Sequence, residues 1–171
     1  MTADQPISSD MMLRAPTLQR LYRDWKARRR GRFPLRRDFD PLDFRYILGG
    51  MSLIEVCRDP LRFLVRVHGT KLAQQIGMEL SGKFIDQAPR TEFFRLAELH
   101  YQDAVESECA SMANHIAFVG DEAVWDAEAL MLPLSLGGET LDFLLAAIVH
   151  HRRPCRLEID QAQTRLVRLD S

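Results

Sequence analysis

Cysteine is scarce and unpaired in this sequence. Its three cysteines, Cys57, Cys109 and Cys155, are widely spaced and odd in number, and no C-x-x-C pair occurs. That excludes a disulfide framework and a thiolate zinc site, and reduced thiols in a cytoplasmic protein are expected. Long apolar runs are missing too. The longest, such as 143–149, fall far short of the roughly 20 residues that a membrane-spanning helix needs. The N-terminus lacks the charged, apolar and small-residue succession of a secretory signal. Neither a glycine-rich phosphate loop nor a nucleophile elbow is present, so the familiar signatures of phosphate binding and acyl transfer are absent. An excess of one charge is lacking as well. A formal net charge of -1 gives no global pull toward nucleic acid or a membrane surface.

What is present is the composition of one globular domain. Of the 171 residues, 46% are apolar and 27% charged, enough to bury a core without disulfide or metal. The charge is uneven. Between Arg14 and Arg37 stand ten Lys/Arg and one acid, Asp24, so the remainder is net acidic.

Residues 1–15 are polar and without period, and are expected to form a flexible tail. From Pro16 the spacing of Leu18, Leu21, Tyr22 and Trp25 gives one apolar helical stripe, with arginines on the rest of the surface and Gly31 as the stop. This helix and the basic loop after it occupy 16–38. Asp40-Pro41-Leu42-Asp43 opens a short helix, expected to run to Leu48: Asp40 caps, Pro41 suits the first turn and Asp43 favours the positive end of the dipole. Residues 51–57 and 61–68 read as a hairpin around Arg58-Asp59-Pro60. A short helix follows from Gly69-Thr70 and closes at Gly77. A longer one covers about 91–107, with Phe93, Phe94, Ala97, Tyr101, Ala104 and Val105 inside. Three strands at about 110–119, 123–136 and 140–150 complete the domain of 39–151, with turns at Gly120-Asp121 and Gly137-Gly138. The extension 152–171 alternates at Leu157 and Ile159, which suits either an added strand or surface packing.

Two strands, short helices, a long helix and three antiparallel strands is the order of a PAS domain, and particular residues carry that resemblance further. The stretch Leu80-Ser81-Gly82-Lys83-Phe84-Ile85-Asp86 resembles the segment before the long PAS helix. Leu132-Pro133-Leu134 with Gly137-Gly138 resembles the final PAS hairpin. Leu21-Tyr22-Arg23-Asp24-Trp25, Phe39-Asp40-Pro41-Leu42-Asp43-Phe44, Leu48-Gly49-Gly50 and Arg66-Val67-His68-Gly69-Thr70 together resemble short stand-alone bacterial PAS proteins of the PAS_5 type. The resemblance covers about 17–150. It implies an α+β fold, a five-stranded antiparallel sheet with helices on one face, with the N-terminal amphipathic helix in addition. It also implies a sensory or protein-interaction role without catalysis, acting through a signalling partner.

Candidate site residues follow from that expectation. Phe84, Phe94, His100, Tyr101, Met112, Trp125 and Met131 are candidates to line a cavity between sheet and helices, although such aromatic and methionine side chains also fill cores. His100 is in mid-helix beside the apolar stripe, and in haem-binding PAS relatives a histidine on that helix is the axial ligand, so haem is an alternative. No histidine forms a ligand set with a cysteine or acid at metal spacing. His150 and His151 are adjacent, so a strand would point them oppositely. Asp126 and Glu128 share one strand face and, with His68, are the candidate bases of a compact α+β enzyme; the competing reading makes the carboxylates partners for arginines. Cys57 and Cys109 read as buried small hydrophobes. The stripe Leu18, Leu21, Tyr22 and Trp25 has two destinations, the chain's own sheet or a second copy in a homodimer. The run Arg28, Arg29 and Arg30, with Arg32 after it, could contact phosphate of nucleic acid or of an anionic lipid, or an acidic partner protein, but a solvated charge run is the more usual reading and nucleic acid is not the expected partner.

Overall fold

Pro16 starts the first helix, where its missing N–H costs nothing. The computed structural model describes residues 12–119, 121–152 and 161–169, apart from the side chains at 92, 119, 122–125, 152 and 161–163. Helix α1 spans Pro16–Arg28. Its stripe of Leu18, Leu21, Tyr22 and Trp25 is fully buried, and the Trp25 indole N–H donates to the Pro133 carbonyl at 2.8 Å. The helix stops short of Gly31, because Arg29 already has extended backbone.

The helix expected from Asp40 to Leu48 is replaced by two 3-10 turns, Pro41–Phe44 and Leu48–Gly50. Asp40 does act as the cap, accepting the Leu42 N–H at 2.8 Å. Phe44 and Ile47 are both buried.

Strands β1 (Met51–Cys57) and β2 (Arg62–His68) form the expected antiparallel pair. Helix α2 (Thr70–Ile76) ends at Gly77, whose φ of 69° is left-handed. At the start of α2, a Cβ on Gly69 would lie 2.3 Å from the Gly49 carbonyl oxygen and 2.6 Å from that of Met51, so only glycine fits this crossing. Helix α3 spans Glu92–Ser107, capped by the Thr91 hydroxyl, which accepts the Phe94 N–H. Strands β3 (Ser111–Val119), β4 (Glu122–Leu134) and β5 (Phe143–Arg152) follow. The β4–β5 connection is longer than a tight hairpin, with the Ser135 hydroxyl accepting the N–H groups of Gly137 and Gly138.

Among the described residues the sheet has six strands in the order β2-β1-β5-β4-β3-β6, all neighbours antiparallel. The sixth, β6 (Gln161–Arg168), pairs along β3. It extends the five-stranded expectation and gives the C-terminal extension a place in the sheet. Leu157 and Ile159, where alternation was read, lie outside the described residues, as do Gly120 and residues 1–11 of the tail expected over 1–15, of which Leu13 and Ala15 are buried.

Alternation along β4 divides the core in two. Leu130, Leu132 and Leu134 pack with Met112, Leu145 and the α1 stripe. Met131 packs with Leu144, Ala146, Ile54 and residues of α3. Helices α2 and α3 lie over one face, as expected, and α1 covers the other. Cys57 and Cys109 are only half-buried, which corrects their reading as core residues.

Candidate functional site

Short side chains leave room under α3. Ala146 on β5, Ala129 on β4 and Ala97 on α3 face one another across the gap between helix and sheet. Two adjoining compartments result, of about 50 Å³ and about 30 Å³, sharing Phe93, Ala97, Tyr101, Ala146 and Ile148 in their walls. The larger reaches β2 and α2, and the smaller reaches β3.

The walls are apolar with a few polar groups. His68 and Ser52 are cross-strand neighbours, and the His68 Nδ1 and Ser52 Oγ are 3.0 Å apart. That leaves His68 Nε2 buried, with no partner among the described residues; Gln75 Oε1 of α2 is in the same condition. Both residues line the larger compartment. A buried polar atom without a partner costs about 1–3 kcal/mol.

Four of the five histidines line the two compartments: His68 and His150 the larger, His100 and His115 the smaller. His115 on β3 and His150 on β5 flank Ala127 of β4 in one row of the sheet. His100 Nε2 is 2.9 Å from Ser111 Oγ, and His115 Nδ1 is 2.9 Å from Thr164 Oγ1 on β6. Burial disfavours their charged forms. It lowers His100 to about 3, with His115 adding to the effect, and His115 to about 4, with His150 adding. Burial lowers His68 too, and pushes the Tyr101 phenol up to about 12. At neutral pH His68, His100, His115 and Tyr101 therefore meet the cavity as neutral hydrogen-bonding groups.

His151 points the other way. Its Nε2 lies 3.0 Å from Glu128 on the α1 face, so the adjacent pair is split across the sheet. Glu128 is wholly buried, and its carboxylate accepts the backbone N–H groups of Arg14 at 2.8 Å and Ala15 at 3.2 Å. Asp126 takes the Arg14 guanidinium at 2.6 and 2.9 Å. The two carboxylates thus fasten the start of α1. His68 is on the opposite face, so the three candidate bases do not converge.

The family model of the PAS domain, PAS_5, matches residues 13–149. The chain belongs to the PAS domain family. No curated protein and no solved structure matches it. As a PAS domain it is a sensory or regulatory module in general terms. Among the described residues no helix is long and apolar enough to cross a membrane, and no group of three or more His, Cys, Asp or Glu side chains is placed to hold a metal ion.

Within this PAS domain, Phe94, His100, Tyr101 and Met131 line the cavity. Met112 does not: β3 turns Ser111 and His115 toward α3 and Met112 toward α1. Phe84 is also outside the cavity, stacked under the Arg62 guanidinium at 3.6 Å. The side chain of Trp125 lies outside the described residues. Sequence reasoning missed Ser52, Gln75, His115 and His150 as wall residues. Strand alternation would have grouped His115 with Ser111, but not with β5.

The residues present do not fit haem. His100 Nε2 is engaged by Ser111, and the space beside it is about 30 Å³, whereas even drug-sized ligands occupy about 300–1,000 Å³. The partner-contact residues are also redistributed. Leu18, Leu21, Tyr22 and Trp25 are buried against the chain's own sheet, so this stripe offers no surface to a second copy. Arg28 donates to the Asp24 and Asp38 carbonyls and pairs with Asp43. Arg29 lies over Trp25, and Arg30 is exposed.

Proposed function

We propose that this chain is a non-catalytic sensory adaptor of the cytoplasm, in which a small ligand under α3 gates contact with a protein partner. The observation that carries this reading is the largely apolar cavity under α3, whose lining includes His68 and Gln75, each with a buried polar atom that has no partner among the described residues. Such a wall suits an uncharged molecule of a few heavy atoms that donates to the Gln75 carbonyl and hydrogen-bonds the His68 ring. Catalysis finds no support, since the acidic pair is tied to Arg14 and Ala15 on the face opposite His68. A homodimer through the α1 stripe is no part of the reading, because the stripe is buried.

Native mass spectrometry of the protein isolated from its own cells tests this directly. The expected result is an added small mass, lost on denaturation and absent from Gln75→Leu. Apo protein under the same conditions would contradict ligand gating.

A further inference from the structure

The α1 face of the sheet is not covered to its end. Between the Pro41–Phe44 turn and the β1–β2 hairpin lies a groove of about 60 Å³, its floor and walls made by Phe39, Phe44, Leu53, Leu134, Leu145 and Val67. Two of its lining apolar side chains are exposed: Val67 is 49% exposed and Leu48 38%. One charged residue is in the lining, Arg36, and it has no ion pair among the described residues. Of the acids nearby in the chain, Asp43 pairs with Arg28 and Asp40 caps Leu42.

An exposed apolar patch with an uncompensated cation at its rim selects for an apolar side chain next to a carboxylate. We propose that this groove docks an acidic, amphipathic segment of a partner protein, with an apolar anchor against Val67 and Leu53 and an Asp or Glu on Arg36. The proposal rests on the reading of the chain as an adaptor, and it names the surface and the partner chemistry. It also places the two sites on either side of one strand. Ser52 of β1 is in the wall of the groove and bonds His68 in the wall of the cavity, so a shift of β1 would be felt in both.

Photo-cross-linking of the full chain in its own cells tests the proposal. A benzoylphenylalanine is placed at Val67, and at Leu99 on exposed α3 as the control site. Sequencing of the cross-linked peptide is expected to give a segment of another protein with apolar residues flanked by Asp or Glu. Arg36→Glu should lower the yield at least fivefold, and Arg36→Lys should retain most of it. Cross-links no stronger than at Leu99, cross-links to a second copy, or a captured segment without acidic residues would each overturn the proposal. The same Val67-labelled protein is examined by native mass spectrometry: a retained small mass with no cross-link sinks the docking site alone, and a cross-link without the mass sinks ligand gating alone.

Discussion

Burial holds His100 neutral, and that gives stability a definite dependence on pH. The ring titrates at about 3 in the folded chain against an ordinary 6.5. Between those values the unfolded chain binds a proton that the folded chain excludes. Stability is therefore unaffected above about pH 6.5 and falls as pH drops below it, by up to about 1.4 kcal/mol per pH unit for this residue. His115, lowered to about 4, acts in the same direction. Urea unfolding of His100→Gln, which keeps a neutral partner for Ser111, is expected to show a shallower loss of stability between about pH 6 and 4 than the parent chain. An unchanged slope would mean that the loss comes from other groups. Tyr101 and Phe94 were legible as inward-facing residues because a helix fixes its own faces by spacing, whereas His100 was read only as lying beside the apolar stripe and is in fact buried. Met112 was not. Its assignment depends on which way β3 is pleated against β4, and that is set by the Ser111–Met131 register, a long-range pairing.

Helix α1 is fixed at both ends by contacts of different kinds. Trp25 bonds the Pro133 carbonyl near its C-terminal end, and Glu128 holds the chain entering its N-terminal end. The amphipathic stripe was plain in the sequence, but its destination was not, because the same four residues would serve a second copy equally well. Burial in a single chain settles that in favour of β3, β4 and β5. The Asp126/Glu128 pair gives the next expectation. Both carboxylates touch residues 14–15, but Glu128 is wholly buried, whereas Arg14 is half-exposed in its pair with Asp126. Glu128→Ala strands buried backbone donors and is expected to lower stability by about 1–3 kcal/mol. Asp126→Ala breaks a solvent-screened pair and is expected to cost no more than about 1 kcal/mol. Chemical denaturation of the two variants checks the order, and equal losses would contradict the role given to Glu128.

At the scale of the whole molecule the sheet is a partition. One face carries α2, α3 and the histidine-lined cavity; the other carries α1 and, beyond it, the open groove. Helix spacing, the capping residues and the hairpin turns made the order of elements readable, and the motifs around Leu80–Asp86 and His68-Gly69 carried the family. The cavity was readable only as a region, since its polar wall joins Ser52 and His68 of the first hairpin to Gln75 of α2 and His150 of β5. Those residues meet through strand order, and nothing in their spacing announces it. β6 was equally hidden, because its partner is β3, more than forty residues earlier along the whole pairing.

The central claim is that the space under α3 accepts a small hydrogen-bonding molecule. Titration of the ¹⁵N-labelled chain with acetamide tests it most directly, read beside Ala146→Val, which narrows both compartments from the middle of β5. The expected result is a saturable set of shift changes at Ser52, His68, Gln75 and Tyr101 that is lost in Ala146→Val while the rest of the spectrum is preserved. Changes scattered over the surface, or the same response in Ala146→Val, would contradict it.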